Sequence, residues 1–145
     1  MNDAVTINEV GPRDGLQNQR VAVSCDDKLL LIQALVDAGI KSIEATSFVS
    51  PKAVPQMADA DALFVRLPSP ELVAYSALVP NVRGLDRARA CQVQEIAVVL
   101  SATETMNQRN INMGLSQATE VCAQTMDVAI KAGLRAKAYV AVAFE

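Results

Sequence analysis

The chain has 145 residues and 15.4 kDa, with 13 lysines and arginines against 16 aspartates and glutamates, a formal charge of −3 and 51% apolar residues. That is one domain's worth of chain with enough apolar side chain to bury a core, which argues against disorder. Scattered cations and only 3% aromatic residues supply neither the basic patch nor the stacking platform of a nucleic-acid binder, and the longest apolar runs fall well short of the roughly 18 residues of a membrane span.

Strand-like and helix-like segments alternate. Residues 5–10 (V-T-I-N-E-V) are β-rich and end at Gly11-Pro12. Ser24 is placed to cap a helix over residues 26–38, with Asp26 and Asp27 in the first turn, where the helix dipole favours anions, and Gly39 as its stop. A strand at 41–46, a Pro-punctuated segment leading to a helix at 56–66, and a strand at 72–79 follow. Asn81 is placed to cap a short helix reaching residue 90. Residues 96–100 (I-A-V-V-L) are apolar on both faces, as a parallel strand covered on each side requires. Residues 105–112 read as a polar loop. A helix at 117–132 closes at Gly133 and leads into a strand at 136–144.

Five strands with four helical connections predict a parallel α/β fold. The handoff D-A-G-I-K-S-I-E (37–44) returns as K-A-G-L-R-A-K-A (131–138), a helix end, a glycine cap and a strand start. No G-x-G-x-x-G or Walker loop is present, which favours a TIM-type barrel over an open dinucleotide-binding sheet. A complete barrel takes ~250 residues and eight strands. The expectation is therefore a partial (β/α)8 barrel of about five strands, cut short. The opening Met1-Asn2-Asp3-Ala4 lacks a secretory pattern, so the expected compartment is the cytoplasm.

In such folds the active site gathers where the strands end. Strand one leads to Glu9, Arg13, Asp14 and Gln17, strand two to Glu44, Thr46 and Ser47, strand four to Ser101, Thr103 and Glu104, and strand five to Glu145. With no histidine in the chain and three widely spaced cysteines, Cys25, Cys91 and Cys122, chemistry falls to carboxylates, Arg, Lys and Ser. The cysteines read as reduced packing residues, since no imidazole is at hand to activate a thiolate. Arg13-Asp14 carries the most weight. A carboxylate beside a permanent cation stays ionised and ligates Mg²⁺ or Mn²⁺, while the guanidinium stabilises a developing oxyanion. The same P-R-D-G is equally a turn with a surface ion pair. Glu44 is open to either reading too, as a site carboxylate or as half of a structural pair.

E-V-G-P-R-D-G-L-Q-N (9–18), I-E-A-T-S-F-V-S-P-K-A-V-P-Q-M-A-D (43–59) and S-A-T-E-T-M-N-Q-R-N-I-N (101–112) closely resemble the hydroxymethylglutaryl-CoA lyases, TIM-barrel metallolyases. The R-D-G-x-Q core alone is shared with isopropylmalate and homocitrate synthases. S-F-V-S-P-K with P-Q-M-A-D points to the lyase branch. The resemblance implies Mg²⁺- or Mn²⁺-dependent retro-Claisen cleavage of 3-hydroxy-3-methylglutaryl-CoA to acetyl-CoA and acetoacetate, as in leucine degradation and ketone-body formation. It implies Asp14 as metal ligand and Arg13 as the group that neutralises the enolate. Glu44 would be catalytic beside them, and Gln17 and Ser47 would contact the acyl-CoA substrate. It implies further that residues 1–145 are the N-terminal part of the catalytic domain. The H-x-H ligands, an Asn ligand and the catalytic Cys would lie beyond residue 145, in a full-length form that is a homo-oligomer without nucleic-acid or membrane partners. Two other readings stand beside this one, a barrel acyltransferase of the isopropylmalate synthase type and a self-associating fragment without activity.

Overall fold

The computed structural model describes residues 5–144. Five parallel strands, β1 (Asn8–Glu9), β2 (Ser42–Ser47), β3 (Ala74–Leu78), β4 (Glu95–Ser101) and β5 (Arg135–Ala141), lie side by side in chain order. The helices α1 (Cys25–Asp37), α2 (Ala60–Phe64), α3 (Val82–Ala90), α4 (Glu104–Ile111) and α5 (Leu115–Lys131) fill the connections. Sequential parallel pairing with helical crossovers is the (β/α) repeat of a barrel wall.

The sheet is curled, as the side chains themselves show. Four strands cover β2 to β5, and at the usual strand spacing a flat sheet would separate those two by ~14 Å. The Tyr139 hydroxyl on β5 nevertheless donates to Glu44 Oε2 on β2 at 3.0 Å. The hydrogen-bonded row from Glu44 runs through Ser76 and Glu95 to Arg135. Tyr139 lies four residues further along β5, so curl is combined with the stagger that tilted barrel strands impose. The wall is about half of a TIM barrel, as the strand pattern predicts.

Apolar side chains on the outer face meet the helices. Ile43, Ala45, Val73 and Tyr75 pack with Ile32 and Leu63, while Ala77, Val79, Ile96 and Val98 pack with Leu85, Ala88, Cys122 and Ala129. The start of α1 is capped as its sequence predicts, with Ser24 Oγ accepting the Asp27 amide at 3.1 Å. Asn81 Oδ1 does the same for the Gly84 amide at 3.0 Å at the start of α3. Gly39 and Gly133 follow α1 and α5 at φ of 91° and 83°, where a side chain would be strained.

Three local expectations are corrected. The strand predicted at 5–10 pairs only over Asn8–Glu9, because Gly11 and Pro12 turn at once into a five-residue π-turn, Gly11–Gly15. The helix predicted at 56–66 divides into a 3₁₀ turn, Pro55–Met57, and the short α2. Lys28 holds the Gln56 carbonyl and the Asp59 carboxylate at the join, and this tertiary pull outweighs helix propensity. The polar loop predicted at 105–112 is mostly α4, so two helices rather than one link β4 to β5. Its residues lack apolar periodicity, which is why the pattern hid it.

Candidate active site

The turn after β1 places the first two groups. The amides of Arg13 and Asp14 both donate to the Val10 carbonyl, at 3.1 and 2.7 Å, which winds the backbone tightly enough to send the Arg13 side chain inward. Its Nε donates to Glu44 Oε1 at 2.5 Å and its Nη1 to Asp14 Oδ1 at 2.6 Å. Glu44 is fully buried, the Arg13 side chain is 12% exposed, and the Asp14 side chain is 58% exposed. A guanidinium therefore stands between an enclosed carboxylate and an open one. Two of its five N–H groups are used in these bonds, leaving directional donor capacity at the barrel's interior.

Glu44 lies on β2 just before an irregularity that bears on Thr46 and Ser47. Glu44 pairs with Ser76 and Thr46 with Ala77, so Ala45 is the extra residue of a bulge. Bulges re-aim the side chains that follow them and are common beside active sites. The second Glu44 oxygen accepts from Tyr139, whose hydroxyl lies 3.4 Å from Asn8 Nδ2, and Asn8 Oδ1 accepts from Ser42 Oγ at 2.7 Å. Burial first, and then the neighbouring Glu44 carboxylate, push the Tyr139 phenol above its ordinary value of 10.0. The hydroxyl thus stays a proton donor to Glu44 across the whole neutral range.

Ser47 and Gln17 are distinguished by an omission. Ser47 Oγ and Gln17 Oε1 are buried side-chain atoms that have no hydrogen-bond partner among the described residues. Desolvating such an atom costs about 1–3 kcal/mol unless something bonds to it, so each calls for a partner from outside the described residues, a water or a ligand atom.

Several of the other polar residues in and after the strands do structural tasks. Thr46 Oγ1 is 3.7 Å from Met57 Sδ. The Asn107 side chain bonds both the amide and the carbonyl of Ser101, at 2.8 and 2.9 Å. Glu104 Oε2 accepts the Leu115 amide at 2.6 Å and so caps α5 instead of facing the mouth. Thr103 precedes α4 without a side-chain capping bond, and Glu145 lies outside the described residues. Tyr139 is the residue that sequence reasoning missed. Its signal is the alternation Arg135, Lys137, Tyr139, polar residues at every second position of a strand, which lines one face of the sheet.

Among the described residues no three His, Cys, Asp or Glu side chains gather into a metal-holding group. Both Glu44 oxygens are engaged, whereas Asp14 is half open with one oxygen outside the Arg13 bond. The described residues therefore offer a cation one open carboxylate, Asp14, and a hard ion held there would draw its remaining oxygens from water or ligand.

A half-barrel of parallel strands with Arg13 held between the carboxylates of Asp14 and Glu44 defines a partial TIM-barrel protein. Residues 4–145 match the HMGL-like family model, and the chain belongs to that family. It is 43% identical over 140 residues to a hydroxymethylglutaryl-CoA lyase of Bacillus subtilis, covering 97% of this chain and 47% of that protein. The crystal structure of the B. subtilis HMG-CoA lyase superposes with a TM-score of 0.90, over 94% of this chain and 46% of that one. A Pseudomonas aeruginosa protein named 3-hydroxy-3-isohexenylglutaryl-CoA/hydroxymethylglutaryl-CoA lyase is 40% identical, over 94% of this chain and 45% of its own. An HMG-CoA lyase from Acinetobacter baumannii, solved with coenzyme A and 3-methylmalate, is 34% identical with a TM-score of 0.86, over 93% of this chain and 44% of that one. The chain thus spans about half the length of the curated relatives it matches.

Proposed function

We propose that residues 1–145 form the N-terminal half of a hydroxymethylglutaryl-CoA lyase domain. This half contributes the Arg13–Asp14–Glu44 arm of a site that cleaves 3-hydroxy-3-methylglutaryl-CoA to acetyl-CoA and acetoacetate. The observation that carries the reading is the Arg13 guanidinium, fixed by Glu44 and Asp14 with N–H groups to spare. In a retro-Claisen cleavage negative charge develops on the thioester oxygen as the carbon–carbon bond breaks. A preorganised guanidinium in a partly dry site stabilises that charge more in the transition state than in the ground state. Glu44 and Tyr139 keep the guanidinium from turning away, and Ser47 and Gln17 are the substrate-side partners their unpaired atoms suggest. Asp14 is the residue proposed to hold a divalent cation, Mg²⁺ or Mn²⁺, which when bound would neutralise substrate oxygens. The cytoplasm is the proposed compartment, consistent with free thiols at Cys25, Cys91 and Cys122.

The test is calorimetric titration of the 145-residue chain with hydroxymethylglutaryl-CoA, with and without Mg²⁺, beside an acetoacetate assay. Mg²⁺-dependent binding that Arg13→Met and Asp14→Asn abolish, without turnover, is the expected result. Equal binding by the two variants, or turnover at a complete lyase's rate, contradicts it.

One observation favours a second property of this polypeptide. β5 is an edge strand whose Val140 is 52% exposed, near exposed Val142 and Phe144. Unpaired strand edges with apolar side chains recruit other chains, so light scattering is expected to show association. A monodisperse monomer at every concentration would contradict this.

A further inference from the structure

The segment after β2 carries Ser47 at its root and is fastened by cations from two flanking helices. At its far end Lys28 of α1, 2% exposed, donates from Nζ to the Gln56 carbonyl at 2.5 Å and to Asp59 Oδ1 at 2.7 Å. At its near end Arg87 of α3 donates from Nη1 to the Val49 carbonyl at 3.1 Å. The same guanidinium donates from Nε to Asp61 Oδ1 at 3.3 Å and from Nη2 to Asp61 Oδ2, and it lies 5.5 Å from the centre of the Phe48 ring. The Phe48 amide in turn donates to the Leu78 carbonyl at 2.8 Å. α3 approaches so closely that a Cβ on Gly84 would stand 2.7 Å from the Phe48 carbonyl oxygen.

We propose that Arg87, with Asp61, is a positioning residue: it fixes the backbone at Phe48–Val49 and thereby sets the unpaired Ser47 hydroxyl toward the substrate. The inference rests on Ser47 being a substrate-side group, as argued above. Only a planar guanidinium serves three directions at once, a bidentate carboxylate, a backbone carbonyl and an aromatic face; an ammonium is a single point charge. The Arg87 and Asp61 side chains are 28% and 48% exposed, so water screens the pair and its net contribution to stability is small. What it controls is where the chain runs. Arg87 makes its hydrogen bonds and ring contact with Asp61, Val49 and Phe48, and none with Arg13, Asp14 or Glu44.

The experiment compares the full 145-residue chain with Arg87→Leu and Arg87→Lys by amide hydrogen exchange and by Mg²⁺-dependent binding of hydroxymethylglutaryl-CoA. In Arg87→Leu, exchange at residues 48–54 is expected to quicken about tenfold, with β4 and α5 unchanged, because only the local opening is affected. Affinity is expected to fall about threefold to tenfold, as when a binding loop must be ordered at the moment of binding. Arg87→Lys recovers the Val49 contact and part of the protection. Should Arg87→Leu fail to fold, Asp61→Asn is read in the same way. Unchanged exchange at 48–54, or a rise spread evenly over the chain, overturns the clamp. Quicker local exchange with unaltered affinity overturns the positioning role. If the unsubstituted chain binds no hydroxymethylglutaryl-CoA, the substrate assignment fails, and the clamp is decided by exchange alone.

Discussion

The half-barrel has two ionic clusters on its inner face, and they are built from the same parts. At the floor, Glu95 at the start of β4 accepts from Lys137 Nζ through Oε1 and from Arg135 Nε through Oε2, each at 2.9 Å, and Lys137 also reaches Ser76 Oγ at 3.3 Å. At the mouth, Glu44 is likewise bonded through both oxygens, by Arg13 and Tyr139. At the floor the carboxylate is fully engaged and the spare donors face water, the Arg135 side chain being 65% exposed. The mouth is open, with spare N–H groups on Arg13, an exposed Asp14 and two orphaned polar atoms at Ser47 and Gln17. Unsatisfied capacity that is buried, rather than charge, distinguishes the mouth from the floor.

Glu44→Gln strikes that contrast hardest. It leaves Arg13 in a largely dry environment without its buried counter-charge, and a loss of about 3 kcal/mol is expected in urea denaturation. A loss no larger than that of Glu95→Gln, expected at about 1 kcal/mol because its partners are partly exposed, would erase the distinction between mouth and floor.

Next in size is Tyr139→Phe, expected to cost about 1 kcal/mol for one hydrogen bond to a charged acceptor. The phenol's value is raised in the fold above 10.0, so the native state holds its proton more tightly than the unfolded chain does. Its contribution is therefore complete below pH 10.0 and declines as the pH climbs through the folded value. Stability curves of the two proteins should converge on that alkaline limb, and parallel curves would show that Tyr139 does not feel Glu44.

The floor has the opposite signature in acid. Burial works to raise the Glu95 carboxyl, but the hydrogen bonds from Arg135 and Lys137 outweigh it and hold the group below 4.5. Its contribution is present above pH 4.5 and is lost as the pH falls through the folded value. Thermal unfolding between neutral pH and pH 3 should show this limb in the parent protein, shrinking with added salt, and not in Glu95→Gln.

The smallest effect on stability belongs to Asp14→Asn. The exposed side chain is expected to change unfolding by less than about 0.5 kcal/mol, while Mg²⁺-dependent ligand binding disappears. A stability loss comparable to that of Glu44→Gln would make Asp14 a structural partner of Arg13.

Much of this was readable along the chain. Ser24, Gly39, Asn81 and Gly133 punctuate the elements where the caps are found, since capping is decided by a few neighbouring residues. The doubly apolar run within β4 announced a parallel strand, and the polar residues after β1 and within β2 marked which part of the wall to inspect. Tertiary structure decided the rest. Lys28 split a helix that local propensity would have continued. Barrel stagger joined Tyr139 to Glu44, 95 residues apart in sequence, and the reach of α3 set Arg87 on the Val49 carbonyl. Short-range order follows from backbone propensity and side-chain period. Which distant groups meet depends on strand tilt and curl, set jointly by every pair of neighbours in the sheet.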